Sequence, residues 1–209
     1  CFTFHTECQR KQGVTMAFTA EIVEDDKRDL TKSRENDKQR EQRKYIDNDT
    51  IQERIDDIDK SRDKMFILTV YLTGLRVTEV INIRKKDVDF DNGEITARWQ
   101  KNKKWKNRTV PMHEDLAIPL SFYVEGMGYD EKIFDFTRQT GYNICKRHLG
   151  EGPHALRHSF AVHYLRNTDD AIGIVKLSRQ LGHSNVRTTM EYLKIVPKDL
   201  KSTLDDIEF

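Results

Sequence analysis

Cysteines, long apolar runs and net charge are all scarce in this sequence. The three cysteines among 209 residues (Cys1, Cys8 and Cys145) are an odd number, without metal-ligand spacing against the histidines. They indicate a reducing compartment and no disulfide framework. The longest apolar stretch, residues 65–72, is far shorter than the ~20 residues of a membrane-spanning helix, and no charged-then-apolar leader opens the chain. We therefore expect a cytoplasmic protein with no membrane partner.

The net charge of +1 does not by itself indicate a protein that binds nucleic acid. The charges are nevertheless segregated along the chain. Residues 98–110 contain six cations and no acid, whereas acids collect in residues 47–63 and in the last ten residues. This distribution is compatible with one phosphate-binding face. The candidates for DNA contact on that face are Lys101, Lys104, Lys106 and Arg108.

The polarity of the chain changes near residue 45. Residues 24–44 are almost wholly polar, so we interpret residues 1–45 as a polar N-terminal arm or linker. Apolar residues then recur with helical period, and residues 46–196 are expected to form the globular domain. Residues 197–209 carry an apolar stripe at Leu200, Leu204 and Ile207, which predicts a C-terminal tail helix.

The elements expected within residues 46–196 define an α+β fold that is mainly helical. Residues 47–50 can cap a first helix, and Gly74 can end a second. The pair Asn92 and Gly93 predicts a hairpin turn between strands at 87–90 and 94–99, and a third strand at 108–112 follows a basic loop. This gives a small three-stranded antiparallel sheet. Further helices are predicted at 77–85, 113–124, 137–149, 153–167, 170–181 and 185–196.

Residues 152–158 have the features of an anion site at a helix start. Gly152 and Pro153 favour a helix that begins at the proline. His154 and Arg157 then fall in its first turns, where free N–H groups and the helix dipole attract an anion. The spacing of three places both side chains on one face, and an arginine fork with an imidazole suits a phosphate diester.

Residues 181–192 place a histidine and a tyrosine around a helix corner. Gly182 can end one helix and Ser184 can cap the next, so His183 lies between them and Tyr192 about two turns further on. A tyrosine hydroxyl is a weak nucleophile at neutral pH, since its free pKa is about 10. It needs cations and hydrogen-bond donors around the phosphate that it attacks.

Four segments of the chain together resemble the tyrosine recombinases, the family of phage integrases and Xer recombinases. They are the Thr-Gly-Leu-Arg box at 73–76, the basic hairpin before Val110 and Pro111, the His-x-x-Arg box at 154–157, and the segment from Leu-Gly-His to tyrosine at 181–192. The resemblance covers residues 46–196, and all four boxes occur in the family's order and spacing. It implies that Arg76 and Arg157 clamp a scissile phosphate.

The resemblance also implies roles for the remaining site residues. His154 would assist proton transfer, and His183 would hydrogen-bond the phosphate. Tyr192, nine positions after that histidine, would be the nucleophile. Lys103, in the hairpin loop, would protonate the leaving 5′ oxygen, with Lys101, Lys104 and Lys106 in the same loop as competitors for that role. Glu79 would help to orient the helix that follows the Thr-Gly-Leu-Arg box.

The implied activity is that of a site-specific DNA recombinase with a 3′-phosphotyrosyl intermediate and no cofactor or metal. Its partners would be duplex DNA and three further copies of the chain, as a homo-tetramer on DNA that is a monomer or weak oligomer when free. Three alternatives stay open: a type IB topoisomerase, a metal-dependent nuclease and a non-catalytic DNA-binding module. The family's DNA-clamping domain is not expected within residues 1–45, which are too few and too polar for it.

Two further histidines admit another interpretation. His158 and His163 are expected to pack or hydrogen-bond within their own helix. The i, i+4 spacing of His154 and His158 could also bind zinc on a helix, although a zinc site would need further ligands.

Overall fold

The computed structural model of the chain describes residues 45–101, 103–168 and 172–195, with the backbone alone at Lys101. Apart from Tyr45, the arm predicted for residues 1–45 lies outside the described residues. So do the tail helix predicted for residues 197–209 and the side chain of Lys101.

Helices account for most of the described chain, which confirms the prediction of a mainly helical α+β fold. The α-helices are α1 (Asn48–Asp56), α2 (Ser61–Thr73), α3 (Val77–Val80), α4 (Glu114–Tyr123), α5 (Arg138–Leu149), α6 (Pro153–Arg166), α7 (Gly173–Leu181) and α8 (Arg187–Met190). Short 3₁₀ helices follow α3 and α8, at Lys85–Asp87 and Glu191–Lys194.

The helix ends follow short-range sequence signals. Asp47 caps α1, since its carboxylate accepts a hydrogen bond of 2.9 Å from the backbone N–H of Thr50. Gly74 ends α2 in the left-handed region at φ 64°, as glycine does most readily. Pro153 occupies the first position of α6, where its missing N–H would have had no helical partner. These three predictions are confirmed.

The sheet is three-stranded and antiparallel in the order β1-β2-β3, as predicted, with β1 at Val88–Asp89, β2 at Glu94–Lys101 and β3 at Lys104–Pro111. The basic segment 100–108 was predicted as a loop, and that prediction is wrong. Lys101 pairs with Lys104, so the two strands continue to the tip of the hairpin. The β2–β3 ladder pairs the backbone groups that face each other across the hairpin, while Lys103, Lys104 and Lys106 are exposed.

Two predicted helices are shorter in the structure. The helix expected at 77–85 ends at Val80, since the backbone N–H groups of Asn82 and Ile83 donate to carbonyls only three positions back, at 3.2 and 3.1 Å. The helix expected at 185–196 divides into α8 and the 3₁₀ helix Glu191–Lys194. Ser184 does not cap it; the backbone N–H of Arg187 bonds the side-chain oxygen of Asn185 at 2.9 Å.

The buried residues form a large and a small cluster that meet at α6. The large one joins α1–α6 to the sheet around Phe66, Leu75, Ile95, Leu116 and Leu156. The small one joins α6 and α7 to the 3₁₀ helix Glu191–Lys194 through Val162, Leu165, Leu177, Leu181 and Tyr192. Phe160 packs against both. Within the described part of the chain, no helix is long and apolar enough to cross a membrane.

Candidate active site

Arg157 is the central residue of the candidate site. Its side chain lies on α6 and is 5% exposed, so the guanidinium needs partners within the protein. Nη1 donates to the carbonyl of Gly74 and Nη2 to the carbonyl of Leu181, both at 2.5 Å. These carbonyls lie at the ends of α2 and α7. Arg157 therefore ties together the segments that carry Arg76 and His183.

Arg76, His154 and Arg157 line one pocket, as the sequence predicts for an anion site. Thr78, Arg138 and Tyr142 also line it. Burial lowers the pKa of His154, and the nearby positive charges of Arg157, Arg138 and Arg76 lower it further. Burial and the charge of Arg76 lower the pKa of Arg157 to about 10, so it remains charged at neutral pH. The pocket is suited to an anion with several oxygen atoms.

Arg138 is a residue of this pocket that the sequence interpretation missed. It stands at the first position of α5, sixteen residues before His154, and it has no place in the four boxes. A cation in the first turn opposes the helix dipole, which is a weak signal that the residue is kept for another purpose. The structure places it beside the catalytic candidates.

Glu79 contacts Arg76 and is completely buried. Its Oε2 accepts a hydrogen bond of 2.7 Å from the backbone N–H of Arg76, which closes the first turn of α3. Its Oε1 lies 3.3 Å from Nη1 of Arg76. The side chain of Arg76 remains 40% exposed, so much of its guanidinium can still reach a ligand.

His183 contacts both Arg157 and α8. Its Nε2 lies 3.3 Å from Nη2 of Arg157, and its Nδ1 lies 2.8 Å from Oγ1 of Thr189. A guanidinium can only donate, so Nε2 accepts and the imidazole proton resides on Nδ1, which donates to the threonine hydroxyl. The histidine predicted to bind a phosphate is therefore held at the edge of the arginine site.

Tyr192 is buried next to the site, at 2% exposure. Its hydroxyl lies 2.8 Å from Nδ1 of His158, the residue after Arg157 on α6. His158 was expected to pack or hydrogen-bond within its own helix, and this contact across to the 3₁₀ helix Glu191–Lys194 corrects that expectation. Nothing in the sequence links the two residues, which are 34 positions apart.

The hairpin residues divide into exposed and buried cations. Lys103 lies at the exposed tip with a left-handed backbone (φ 60°), and Lys104 and Lys106 are also exposed. Lys106 lines a cleft whose other residues include Arg76 and His183. Lys103 is thus carried on a projecting hairpin, apart from the pocket of the two arginines.

Arg108 differs from these lysines, because it was predicted to contact DNA and instead points into the protein. Its side chain is 12% exposed. Nη1 and Nη2 donate to the two carboxylate oxygens of Glu79 at 2.7 and 2.9 Å, and the guanidinium lies 5.0 Å from the ring centre of Trp99. With both Nη groups engaged in this way, Arg108 does not belong to the exposed cationic face.

The donor groups for a metal are dispersed in the described residues. No group of three or more His, Cys, Asp or Glu side chains there could hold a metal ion. Of the two histidines with zinc-like spacing, His154 lines the pocket while Nδ1 of His158 contacts the hydroxyl of Tyr192.

Comparison with known proteins gives the same family as the sequence motifs. Residues 44–198 match the Phage integrase family. Tyrosine recombinase XerA of Saccharolobus solfataricus is 32% identical over 169 residues, covering 78% of this chain and 56% of that protein. Tyrosine recombinase XerC of Salmonella typhi is 30% identical over 184 residues, covering 78% of this chain and 59% of that protein. The chain thus spans little more than half the length of these relatives.

Solved structures show the same similarity in three dimensions. The crystal structure of XerA recombinase superposes with a TM-score of 0.61 at 27% identity, over 79% of this chain and 66% of that one. The catalytic domain of bacteriophage HP1 integrase superposes with a TM-score of 0.58 at 26% identity, over 78% of this chain and 94% of that one. The described fold is therefore that of a tyrosine recombinase catalytic domain, and the chain belongs to the phage integrase family.

Proposed function

We propose that this chain is a site-specific DNA strand transferase that cleaves and rejoins duplex DNA through Tyr192. The observation that carries the proposal is the convergence of Arg76, His154 and Arg157 on one pocket, with His183 bonded to its edge. The two guanidinium groups can neutralise the charge that develops on a phosphate under attack, and a neutral imidazole can accept or return a proton beside it. Membership of the phage integrase family supports the same chemistry.

The reaction would proceed by two transfers at phosphorus. The Tyr192 oxygen bonds to the phosphorus as its proton passes to His154, the bond to the 5′ oxygen breaks, and Lys103 protonates the leaving oxygen. The product is a 3′-phosphotyrosyl bond and a free 5′ hydroxyl. A 5′ hydroxyl of the partner strand then gives its proton to Lys103 and attacks the same phosphorus, and Tyr192 leaves and regains its proton from His154. The energy of the phosphodiester bond is thus conserved and no cofactor is consumed.

The buried position of Tyr192 adds a conformational step to this scheme. An attacking atom has to come within about 3–3.5 Å of its target, whereas the Tyr192 hydroxyl is held by His158 inside the small cluster. The 3₁₀ helix Glu191–Lys194 must therefore shift when DNA binds. Contacts of the exposed Lys104 and Lys106 with flanking phosphates, together with Lys101, would supply binding free energy for that shift.

Exchange between two duplexes breaks four strands, and each break needs one nucleophile. We therefore propose a homo-tetramer on DNA, assembled from chains that are monomeric or weakly associated when free. The odd number of cysteines suits a reducing compartment, so we place the reaction in the cytoplasm.

The decisive experiment replaces Tyr192 with phenylalanine. The variant keeps the buried ring and loses the hydrogen bond to His158, worth about 1 kcal/mol, so it should fold and bind DNA. On nicked duplexes in excess EDTA, the wild type should give a covalent adduct on a denaturing gel and Tyr192→Phe none. Tyr164→Phe, on α6 but outside the phosphate pocket, is the matched control and should react like the wild type.

Other results would favour the alternative functions. An undiminished adduct with Tyr192→Phe would remove this residue from the mechanism. Cleavage that requires added magnesium or zinc would indicate a metal-dependent nuclease. Relaxation of supercoils without exchange between two sites would indicate a topoisomerase, and binding without any adduct would indicate a non-catalytic module.

A further inference from the structure

Arg108 connects three segments of the candidate site without lining the phosphate pocket. Its guanidinium makes a two-pronged ion pair with the fully buried carboxylate of Glu79 and stacks over Trp99. Nη2 also lies 3.4 Å from the carbonyl of Leu181, which accepts a shorter bond from Arg157. Arg108 stands on β3, so these contacts join the hairpin to the Arg76 and His183 segments.

The corner before His183 packs directly on this guanidinium. A Cβ atom added to Gly182 would lie 2.5 Å from Nη1 of Arg108, closer than such atoms approach one another in proteins. The residue before His183 thus has no room for a side chain while Arg108 stays on Glu79. The guanidinium of Arg108 therefore fills the space beside the Leu181–His183 corner.

Arg76 and Arg108 compete for the same carboxylate. Arg108 takes both oxygens of Glu79 at 2.7 and 2.9 Å, whereas Nη1 of Arg76 is 3.3 Å from Oε1. A buried carboxylate that loses its principal cation keeps the full cost of desolvation and attracts whatever cation is near. If Arg108 were removed, the nearest such group would be the guanidinium of Arg76.

We propose that Arg108 is a positioning residue, which by saturating Glu79 leaves the Arg76 guanidinium available to the substrate phosphate. It also fixes the hairpin that carries Lys103 against the Arg76 and His183 segments. The inference rests on the proposed function in assigning Arg76 to a phosphate. Arg108 itself does not touch the substrate, in contrast to the exposed Lys106 on the same strand.

The central experiment is a double-mutant cycle of Arg108→Met and Glu79→Gln, measured as the rate of single-turnover cleavage at saturating DNA. Arg108→Met should lose about 10- to 100-fold, the equivalent of one charged hydrogen-bond pair. Adding Glu79→Gln should recover part of that loss, because no carboxylate then remains to hold Arg76. A residue that merely stabilises the fold would give additive losses instead.

Arg98→Met is the matched control. Arg98 is on β2 of the same hairpin, and its Nη2 pairs at 2.6 Å with Asp87, a carboxylate only 2% exposed. That variant should lose stability while retaining the wild-type cleavage rate. If Arg108→Met does not fold, Arg108→Lys provides the test. A single ammonium can pair with Glu79 but cannot bond both carboxylate oxygens as the guanidinium does, so its cleavage rate should be lower than that of the wild type, by less than the loss expected for Arg108→Met.

Two further measurements do not depend on catalysis. A crystal structure of Arg108→Met should show the guanidinium of Arg76 drawn onto both oxygens of Glu79. In DNA binding, the logarithm of the association constant falls linearly with the logarithm of the salt concentration. Lys106→Met should reduce the magnitude of that slope by about one, whereas Arg108→Met should leave it unchanged.

The outcomes separate the failure of this inference from that of the proposed function. A folded Arg108→Met with the wild-type rate, additive losses in the cycle, or an Arg76 that stays in place would each overturn the positioning role. A reduced slope of log association constant against log salt for Arg108→Met would show that Arg108 contacts DNA. If the wild type and Arg98→Met both fail to form an adduct, the proposed function fails, and the crystal structure still decides the role of Arg108.

Discussion

Replacing Gly74 with alanine would test how closely the end of α2 must approach α6 to form the site. Gly74 has φ 64° and ψ 17°. An added Cβ would lie 2.7 Å from Cε1 of Phe160, nearer still to Cδ1 of that ring, and 3.1 Å from Cδ2 of Leu181. The carbonyl of Gly74 also accepts a hydrogen bond from Arg157, so a shift here would move a group of the candidate site.

The expected loss has two parts. A left-handed backbone at a residue other than glycine costs about 1–2 kcal/mol. Forcing an extra methyl group against a packed ring costs about 1–3 kcal/mol more. Together they give a decrease of about 2–5 kcal/mol in the free energy of unfolding, a large part of the 5–15 kcal/mol that is typical of a domain.

Gly93→Ala is the matched control, because Gly93 also has φ 64° but the nearest atom to an added Cβ is the carbonyl oxygen of Met112 at 3.9 Å. It should lose only the backbone part, about 1–2 kcal/mol. Urea unfolding followed by circular dichroism measures both variants, and cleavage assays should show impairment only for Gly74→Ala. Equal losses of stability in the two variants would refute the packing argument.

Two further predictions concern proton transfer and pH. Lys103→Ala should cleave ordinary DNA slowly and should recover its cleavage rate on DNA with sulfur at the 5′-bridging position, because a thiolate leaves without a proton. If sulfur instead rescues Lys101→Ala or Lys104→Ala, that lysine is the one that protonates the leaving oxygen. Burial lowers the pKa of His154 and of His163 below the usual 6.5, so the unfolded chain binds more protons than the folded one. The stability that the folded chain has while both histidines are neutral is complete above pH 6.5. It is lost as the pH falls through 6.5 towards the pKa values of the folded state. Urea titrations between pH 7.5 and 5.5 should therefore show a shallower fall for His154→Gln than for the wild type, and identical slopes would contradict the assignment.

Local signals in the sequence determined the helix ends and the arrangement of the His-x-x-Arg box. Asp47, Gly74 and Pro153 act on backbone groups within about one turn of themselves, so no knowledge of the fold is needed to interpret them. The spacing of His154 and Arg157 likewise placed both on one helix face, and the structure finds them in one pocket. The order and spacing of the four boxes was sufficient to identify the family.

Tertiary structure decided which partner each polar group of the site received. In the sequence Arg108 is one of several cations in a basic segment. In the structure its guanidinium instead pairs with the buried carboxylate of Glu79, 29 positions away. Tyr192 and His158 meet only because α6 and the 3₁₀ helix Glu191–Lys194 share the small cluster. The partner of a buried charge or hydroxyl is whichever group packing brings within about 3 Å. That distance depends on the whole fold, so it cannot be predicted from a local pattern in the sequence.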